Sequence, residues 1–307
     1  MAIFFLLIGL ELEREVYAGE LSNFRQALFP TLGAIGGVVI PALIYLLWNK
    51  GTATESGAGI PMATDIAFAI GMLSLLGKRV PIGLKIFLTA LAVIDDLCAI
   101  LIIAFFYTGT ISFAYLGISL LIFGVLLFLN RLKVNTLWPY LIGGIGMWYT
   151  MLHSGVHATL SGVLLAFAIP FGDGKESSIS YKLQHFLHKP VAFIIIPLFA
   201  LANTAIAIGS QWSTDLLSTE ALGIITGLVI GKPLGIYSFT RIAVWCRWSV
   251  LPDGLSWKQI LGAGMLGGIG FTMSIFIALL AFDDTGLIDT AKIAIIVSSL
   301  LASIFGL

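Results

Sequence analysis

The chain has 307 residues, 59% of them hydrophobic and only 10% charged, with a mean hydropathy of +1.04. An ordinary soluble domain is about a quarter charged, so this composition excludes a water-soluble globule. Sixteen Lys and Arg balance sixteen Asp and Glu, which leaves no basic face for a nucleic-acid partner.

A helix crossing about 30 Å of hydrocarbon needs about 20 mostly apolar residues. The first apolar run, Ala2 to Leu10 (AIFFLLIGL), stops at Glu11 and is about 14 Å long as a helix, half a span. No basic stretch precedes it and no small-residue cleavage site follows, so it does not read as a signal peptide. It is expected to be the second half of a helix whose first half lies before Met1, with a short re-entrant segment as the alternative. Residues 1–26 then hold this truncated second helix and a cytoplasmic loop.

Ten longer runs follow, near 27–48, 59–77, 85–107, 111–130, 137–152, 154–171, 190–209, 221–246, 259–282 and 288–307. The longest connection, 172–189, holds too few apolar residues to fold alone. The whole of 1–307 is therefore expected to be one all-α, polytopic membrane domain. Thirty-four glycines fit this reading, because small residues let membrane helices pack closely. Two cysteines in apolar stretches give no reason to expect a disulfide or metal framework.

Basic residues orient such a protein, since Lys and Arg collect in cytoplasmic loops. Taking loops alternately, one side holds Arg14, Arg25, Lys78, Arg79, Lys85, Arg131, Lys133, Lys175, Lys182, Lys189, Arg241, Arg247 and Lys258. The other holds Lys50 and Lys292, and Lys232 falls inside a span. The first side is read as cytoplasmic, together with the C-terminus.

With this topology the three spans within 27–107 and the three within 221–307 run as inverted repeats. The middle member of each is interrupted, by Gly-Ala-Gly-Ile-Pro-Met-Ala-Thr-Asp (57–65) and by Gly-Gly-Ile-Gly-Phe-Thr (267–272). Two interrupted helices are thus expected to cross at the midplane. Interrupted segments at matching positions of opposed repeats mark a binding site, where half-helix ends leave N–H and C=O groups that need charge partners.

Four ionisable residues lie well inside spans: Asp65, Asp95, Asp96 and Lys232. Each costs about 2.5–3.5 kcal/mol at a helix centre on insertion scales. Any one alone could be a structural hydrogen bonder. Two adjacent acids in Ala-Val-Ile-Asp-Asp-Leu (92–97) are harder to explain that way, because their side chains diverge by about 100° on a helix. One can face a water-filled cavity while the other faces a neighbouring helix. Sodium and lithium are hard cations that take oxygen ligands, and Asp96, Asp95, the Thr64 hydroxyl and the unwound backbone beside it make such a set. A carboxylate in a partly dry site holds its proton more tightly, so proton and metal ion compete for the same oxygens. Lys232, in Gly-Lys-Pro-Leu-Gly (231–235), is the natural partner of one aspartate, with a charge that depends on its ionisation. A purely structural ion pair is the other reading.

Several stretches carry a specific resemblance. Phe-Phe-Leu-Leu-Ile-Gly-Leu-Glu-Leu-Glu-Arg-Glu (4–15), Pro-Met-Ala-Thr-Asp-Ile-Ala-Phe (61–68), Leu-Ala-Val-Ile-Asp-Asp-Leu (91–97) and Ser-Gly-Val-His-Ala-Thr-Leu-Ser-Gly (154–162) are four of them. Leu-Phe-Ala-Leu-Ala-Asn (198–203), Gly-Lys-Pro-Leu-Gly (231–235) and Gly-Ile-Gly-Phe-Thr-Met-Ser-Ile-Phe (268–276) complete the set. In this order, over almost the whole chain, the sequence resembles the NhaA-type sodium/proton antiporters. That family is itself an example of interrupted helices that meet at a midplane binding site.

The resemblance implies a secondary active transporter of the bacterial inner membrane, not an enzyme, serving pH and sodium homeostasis. It needs no cofactor, and its partners are the lipid bilayer and its substrates: sodium, lithium and protons. Asp96 and Asp95 bind the cation and carry protons, Thr64 assists, and Asp65 and Lys232 balance the crossed half-helix ends. Transport is electrogenic and pH-regulated, with Glu11, Glu15 and His157 matching the family's pH-responsive positions. Glu13 stands where well-known members carry lysine, Gln184 (next to His185 and near His188) where they carry glutamate, and Cys98 where glycine is usual. A homodimer is implied as well, paired in part by a small hairpin belonging to the region before Met1.

Other classes fit less well. An intramembrane aspartyl protease needs its two aspartates on separate helices with a Gly-x-Gly-Asp pattern, which neither Asp65 nor Asp96 has. A retinal-binding photopump could use Lys232, but the span number and Pro233 speak against it. A passive cation channel would show no coupled proton movement.

Overall fold

The computed structural model describes residues 1–172, 174–206, 212–252 and 254–307. In chain order the helices are α1 (Ala2–Tyr17), α2 (Phe24–Asn49), α3 (Ile66–Leu75), α4 (Ile82–Phe106) and α5 (Phe113–Arg131). Next come α6 (Trp138–His153), α7 (Leu160–Ala168), α8 (Ile179–Pro190), α9 (Ile196–Asn203) and α10 (Trp212–Asp215). The last are α11 (Thr219–Thr226), α12 (Lys232–Trp245), α13 (Trp257–Gly267), α14 (Phe271–Ala281) and α15 (Thr285–Gly306). No strand occurs among the described residues, so the protein is all-α as expected.

Seven helical stretches among the described residues are long and apolar enough to cross a bilayer, and the pair α13–α14, bent by 46°, makes an eighth. Two of the ten expected runs are shorter as helices than a span requires. The run 137–152 becomes the 16 residues of α6, and 154–171 keeps only the nine of α7. The cause is local: the Ser154 hydroxyl donates back to the Met151 carbonyl at 2.7 Å, and Gly155 takes φ +83°, a conformation open to glycine that ends α6. The end of the expected run 190–209, residues 207–209, lies outside the described residues.

The connection 172–189, expected to be a loop, contains α8. Polar residues are frequent there because the helix is amphipathic. Leu183 is buried and Leu187 packs beside it, while Lys182, His185, His188 and Lys189 face outward. Ser178 caps its start by accepting from the Tyr181 N–H. Past Pro190 a π turn, Val191–Ile195, carries the helix into α9, absorbing the hydrogen bond that proline cannot donate.

The described residues gather in two compact units. The first holds Met1–Ser22 and Ile100–Ala200. Its core sets Leu6 and Leu10 of α1 against Leu165, Ala166 and Ile169, with Tyr140, Met147 and Leu126 behind them.

The second holds Asn23–Ala99 and Leu201–Leu307. There α2 runs antiparallel to α11–α12: Gly36 meets Gly235, Pro41 meets Gly231, Tyr45 meets Gly223, and the Asn49 amide donates to the Thr219 carbonyl at 3.0 Å. A β-carbon on Gly36 would lie 2.2 Å from the Gly235 carbonyl oxygen, and one on Gly235 2.0 Å from that of Gly36. The two backbones touch, as helices driven together by packing alone tend to do. Outward, the apolar residues Leu43, Leu47, Ile82, Leu234 and Trp245 are exposed, the inverse of a soluble surface and suited to lipid.

Candidate functional site

The two interrupted segments lie together in the second unit. The first begins as a 3-10 helix, Glu55–Met62, rather than an α-helical half, then runs extended at Ala63 and Asp65 before α3. Gly57, Gly59 and Pro61 disfavour a regular α-turn there. The second breaks between α13 and α14 at Gly268–Gly270. The segments run antiparallel, laced by Ser56 donating to the Ala281 carbonyl and Ser274 to that of Ile60. Closer in, the Thr64 hydroxyl donates to the Gly267 carbonyl at 2.7 Å, and the Asp65 N–H to that of Ile269 at 2.6 Å.

These bonds sort by sign. Two helix N-termini, of α3 and α14, converge on Asp65, which is 3% exposed. One of its oxygens accepts from the Phe68 N–H at 3.2 Å, and the other from the Thr272 N–H at 3.1 Å and the Thr272 hydroxyl. A negative charge is what two positive helix ends require. The opposite polarity is met by Lys232, whose ammonium donates to the Met62 carbonyl at the end of the 3-10 helix. Ser299 of α15 accepts from the Phe271 N–H at 3.2 Å and completes the cap of α14.

Lys232 has a second partner. Its Nζ lies 2.6 Å from Asp95 Oδ2, with both side chains fully closed off from solvent. Asp96, the next residue of α4, is also buried. A π turn, Gly227–Gly231, precedes Lys232. Pro233 cannot donate to the carbonyl of residue 229, and the helix widens there.

The structure therefore brings Thr64, Asp65, Asp95 and Lys232 into one network, with Asp96 next to it on α4. Thr272, Ser299 and the Met62 and Gly267 carbonyls belong to the network too and were not singled out from the sequence. A serine or threonine in an apolar run is unremarkable until its partner is known.

The residues near Glu11 form a separate cluster within the first unit. His188 Nδ1 lies 3.9 Å from Glu11 Oε1, Arg14 donates to Gln184 at 3.0 Å and covers the Tyr181 ring, and His185 stacks on that ring. Burial, reinforced by the charge of Glu15, pushes the Glu11 carboxyl up to about 7. Burial also pushes Glu13 up to about 7, opposed in part by a hydrogen bond from Ser180. His157 instead places Nε2 2.7 Å from the Tyr107 carbonyl oxygen.

A helical membrane protein whose two broken helices are tied together beside a closed-off aspartate–lysine pair is built as a membrane transporter, an architecture for which NhaA proteins are a type example. Residues 1–307 match the family model described as Na+/H+ antiporter 1, and the chain belongs to that family. It is 64% identical over 307 residues to the Na(+)/H(+) antiporter NhaA of Cytophaga hutchinsonii, covering all of this chain and 79% of that protein. It is 65% identical over 306 residues to the NhaA of Flavobacterium psychrophilum, and 50% identical over 309 residues to that of Escherichia coli strain UTI89. In both cases the match takes in all of this chain and 80% of the relative.

Proposed function

We infer that this member of the family exchanges sodium or lithium for protons by a secondary active mechanism centred on Asp95 and Asp96. The observation that carries this reading is the adjacent acid pair of α4, one member held 2.6 Å from Lys232 beside the two helix breaks. Asp96 is the leading cation ligand, with Asp95 and Thr64 completing an oxygen set suited to a hard monovalent ion. When the cation leaves, protons refill the carboxylates, and loss of charge on Asp95 frees Lys232 to change partner or release its own proton. Cation and proton thus exclude one another, which couples their opposed fluxes.

The same reading includes an electrogenic cycle, an inner-membrane location in a lipid bilayer with a cytoplasmic C-terminus, and a homodimer. It also includes pH regulation by the Glu11 cluster. The test uses everted vesicles bearing this chain and a pH-sensitive dye. Added sodium or lithium should collapse an acid-inside gradient, and Asp96→Asn should abolish the response. An unaltered response in Asp96→Asn would remove the pair from the transport step.

A further inference from the structure

Glu220 is a buried acid that the site described above does not use. It is 2% exposed in the first turn of α11, and its Oε1 has no hydrogen-bond partner among the described residues. Such a group is strongly disfavoured in its charged form unless a cation meets it.

The elements packed on α11 are α2, the 3-10 helix 55–62 and α15. At this end they carry Tyr45, Asn49 and Lys50, Glu55, and Asp284, Asp289 and Lys292. Each polar group there that could neutralise Glu220 has another partner or stays outside. Asn49 donates to the Tyr45 and Thr219 carbonyls, Tyr45 to the Thr54 carbonyl, and Lys292 to Asp289 at 3.4 Å. Lys50 is exposed. Asp284 stands at the start of α15, which packs on α11, and adds a second negative charge near Glu220. Asp284 is exposed and caps α15, one oxygen accepting from the Gly286 and Leu287 N–H groups, which leaves the other oxygen for a ligand.

Position adds a second argument. Twelve residues separate Glu220 from Lys232, which on a regular α-helix would turn them about 120° apart. The π turn at Gly227–Gly231 takes up about one extra residue and brings them to within about 20°. Buried Glu220, Ile224, Gly227 and Lys232 accordingly lie on one side of the helix, closely packed at Gly227 against Pro61, with the two charged groups roughly 15–18 Å apart. Glu220 lies where α2 ends at Asn49, whereas Arg241 lies towards the far end of α12.

We propose that Glu220 and Asp284 form a second site for a small alkali cation, at the end of α11 opposite Arg241 and on the same side of the helix as Lys232. Exposed Asp284 collects the ion and buried Glu220 strips part of its hydration. Carboxylate oxygens suit sodium or lithium as hard cations. The proposal rests on the antiport reading above.

Two measurements test it. In proteoliposomes of known orientation, sodium is added at either face and sodium-driven proton movement is followed. Glu220→Gln should raise the half-saturating sodium concentration at the Glu220 face by about fivefold and leave that of the opposite face unchanged; Asp284→Asn should shift it in the same sense by less. A Glu220→Gln protein identical to the parent at both faces, or impaired equally at both, overturns the site. If Glu220→Gln does not fold, Glu220→Asp serves in its place. The second measurement is radioactive sodium binding to the detergent-solubilised Asp96→Asn protein. Residual sodium binding that disappears in Asp96→Asn/Glu220→Gln supports the site, and absence of any residual binding argues against it. Failure of the antiport reading itself would appear differently, as transport that persists in Asp96→Asn.

Discussion

Lys232 Nζ and Asp95 Oδ2 stand 2.6 Å apart in a place that solvent does not reach, and the same ammonium is held by the Met62 carbonyl. One cation therefore ties α12 to α4 and to the end of the 3-10 helix. Removing a single partner of such a pair leaves an uncompensated charge, which in buried pairs is strongly destabilising.

Lys232→Gln is expected to lower stability by about 3–5 kcal/mol. Adding Asp95→Asn should recover a large part of that loss, because the stranded carboxylate is removed. Thermal unfolding of the detergent-solubilised single and double variants measures both effects. Equal melting temperatures for Lys232→Gln and the double variant would show that the ion pair is not the source.

Asp65 serves two helix N-termini at once, so its replacement acts on both. Asp65→Ala removes three charge-assisted bonds, each worth about 1.5–3 kcal/mol, and should raise the half-saturating sodium concentration at least about tenfold. Asp65→Asn keeps an acceptor and should fall between. Titration of vesicle transport with sodium distinguishes the three proteins. A parent-like value in Asp65→Ala would contradict the role of the caps.

The contact of α2 with α12 allows no β-carbon at its tightest point. Gly36→Ala should destabilise by about 1–3 kcal/mol through overpacking. Gly71, with nothing within 4 Å of its would-be β-carbon, provides the comparison, and Gly71→Ala should be neutral or slightly stabilising. Melting temperatures and purified yield report the difference.

Glu11 predicts a pH dependence with a definite sign. Its carboxyl is raised by burial and by Glu15 from an ordinary 4.5 to about 7, so between those values the fold holds a proton that the unfolded chain has lost. Stability from this group is complete below about pH 4.5, declines as the pH rises, and is gone above about pH 7. Glu13 acts in the same direction. The groups around Glu11 are Glu13, Arg14 and Glu15 on α1, with Gln184, His185 and His188 on α8. Glu11→Gln should flatten the profile. Hydrogen exchange of α1 amides from about pH 5 to about pH 8, across the range in which such a raised carboxyl titrates, checks this; an unchanged slope in Glu11→Gln would refute it.

Much of this was legible in the chain. Long apolar runs predicted the helices because hydrocarbon leaves few alternatives for the backbone. Asp65, Asp95, Asp96 and Lys232 stood out because charge is rare in such runs, and the glycine- and proline-rich stretches at 57–65 and 267–272 marked both breaks. Less could be read where composition is ambiguous. The amphipathic α8 resembled a loop in its share of polar residues, and the run 154–171, though largely apolar, keeps a helix only from Leu160 because Ser154–Thr159 forms turns at its start. Nothing in the sequence around Glu220, at the edge of a span, marks it as buried.

The amino-acid sequence by itself determined the class: an all-α membrane protein with acids and a lysine inside its spans, because an apolar solvent makes every such charge conspicuous. Only the tertiary structure decided the pairing. That Lys232 meets Asp95, that Asp65 closes two helix ends, that Ser299 completes one of them and that Glu220 lies on the same side of the helix as Lys232 are relations between residues far apart in the chain or set in phase by a π turn. Hydropathy registers how unfavourable a buried charge is, and only packing determines which group compensates it.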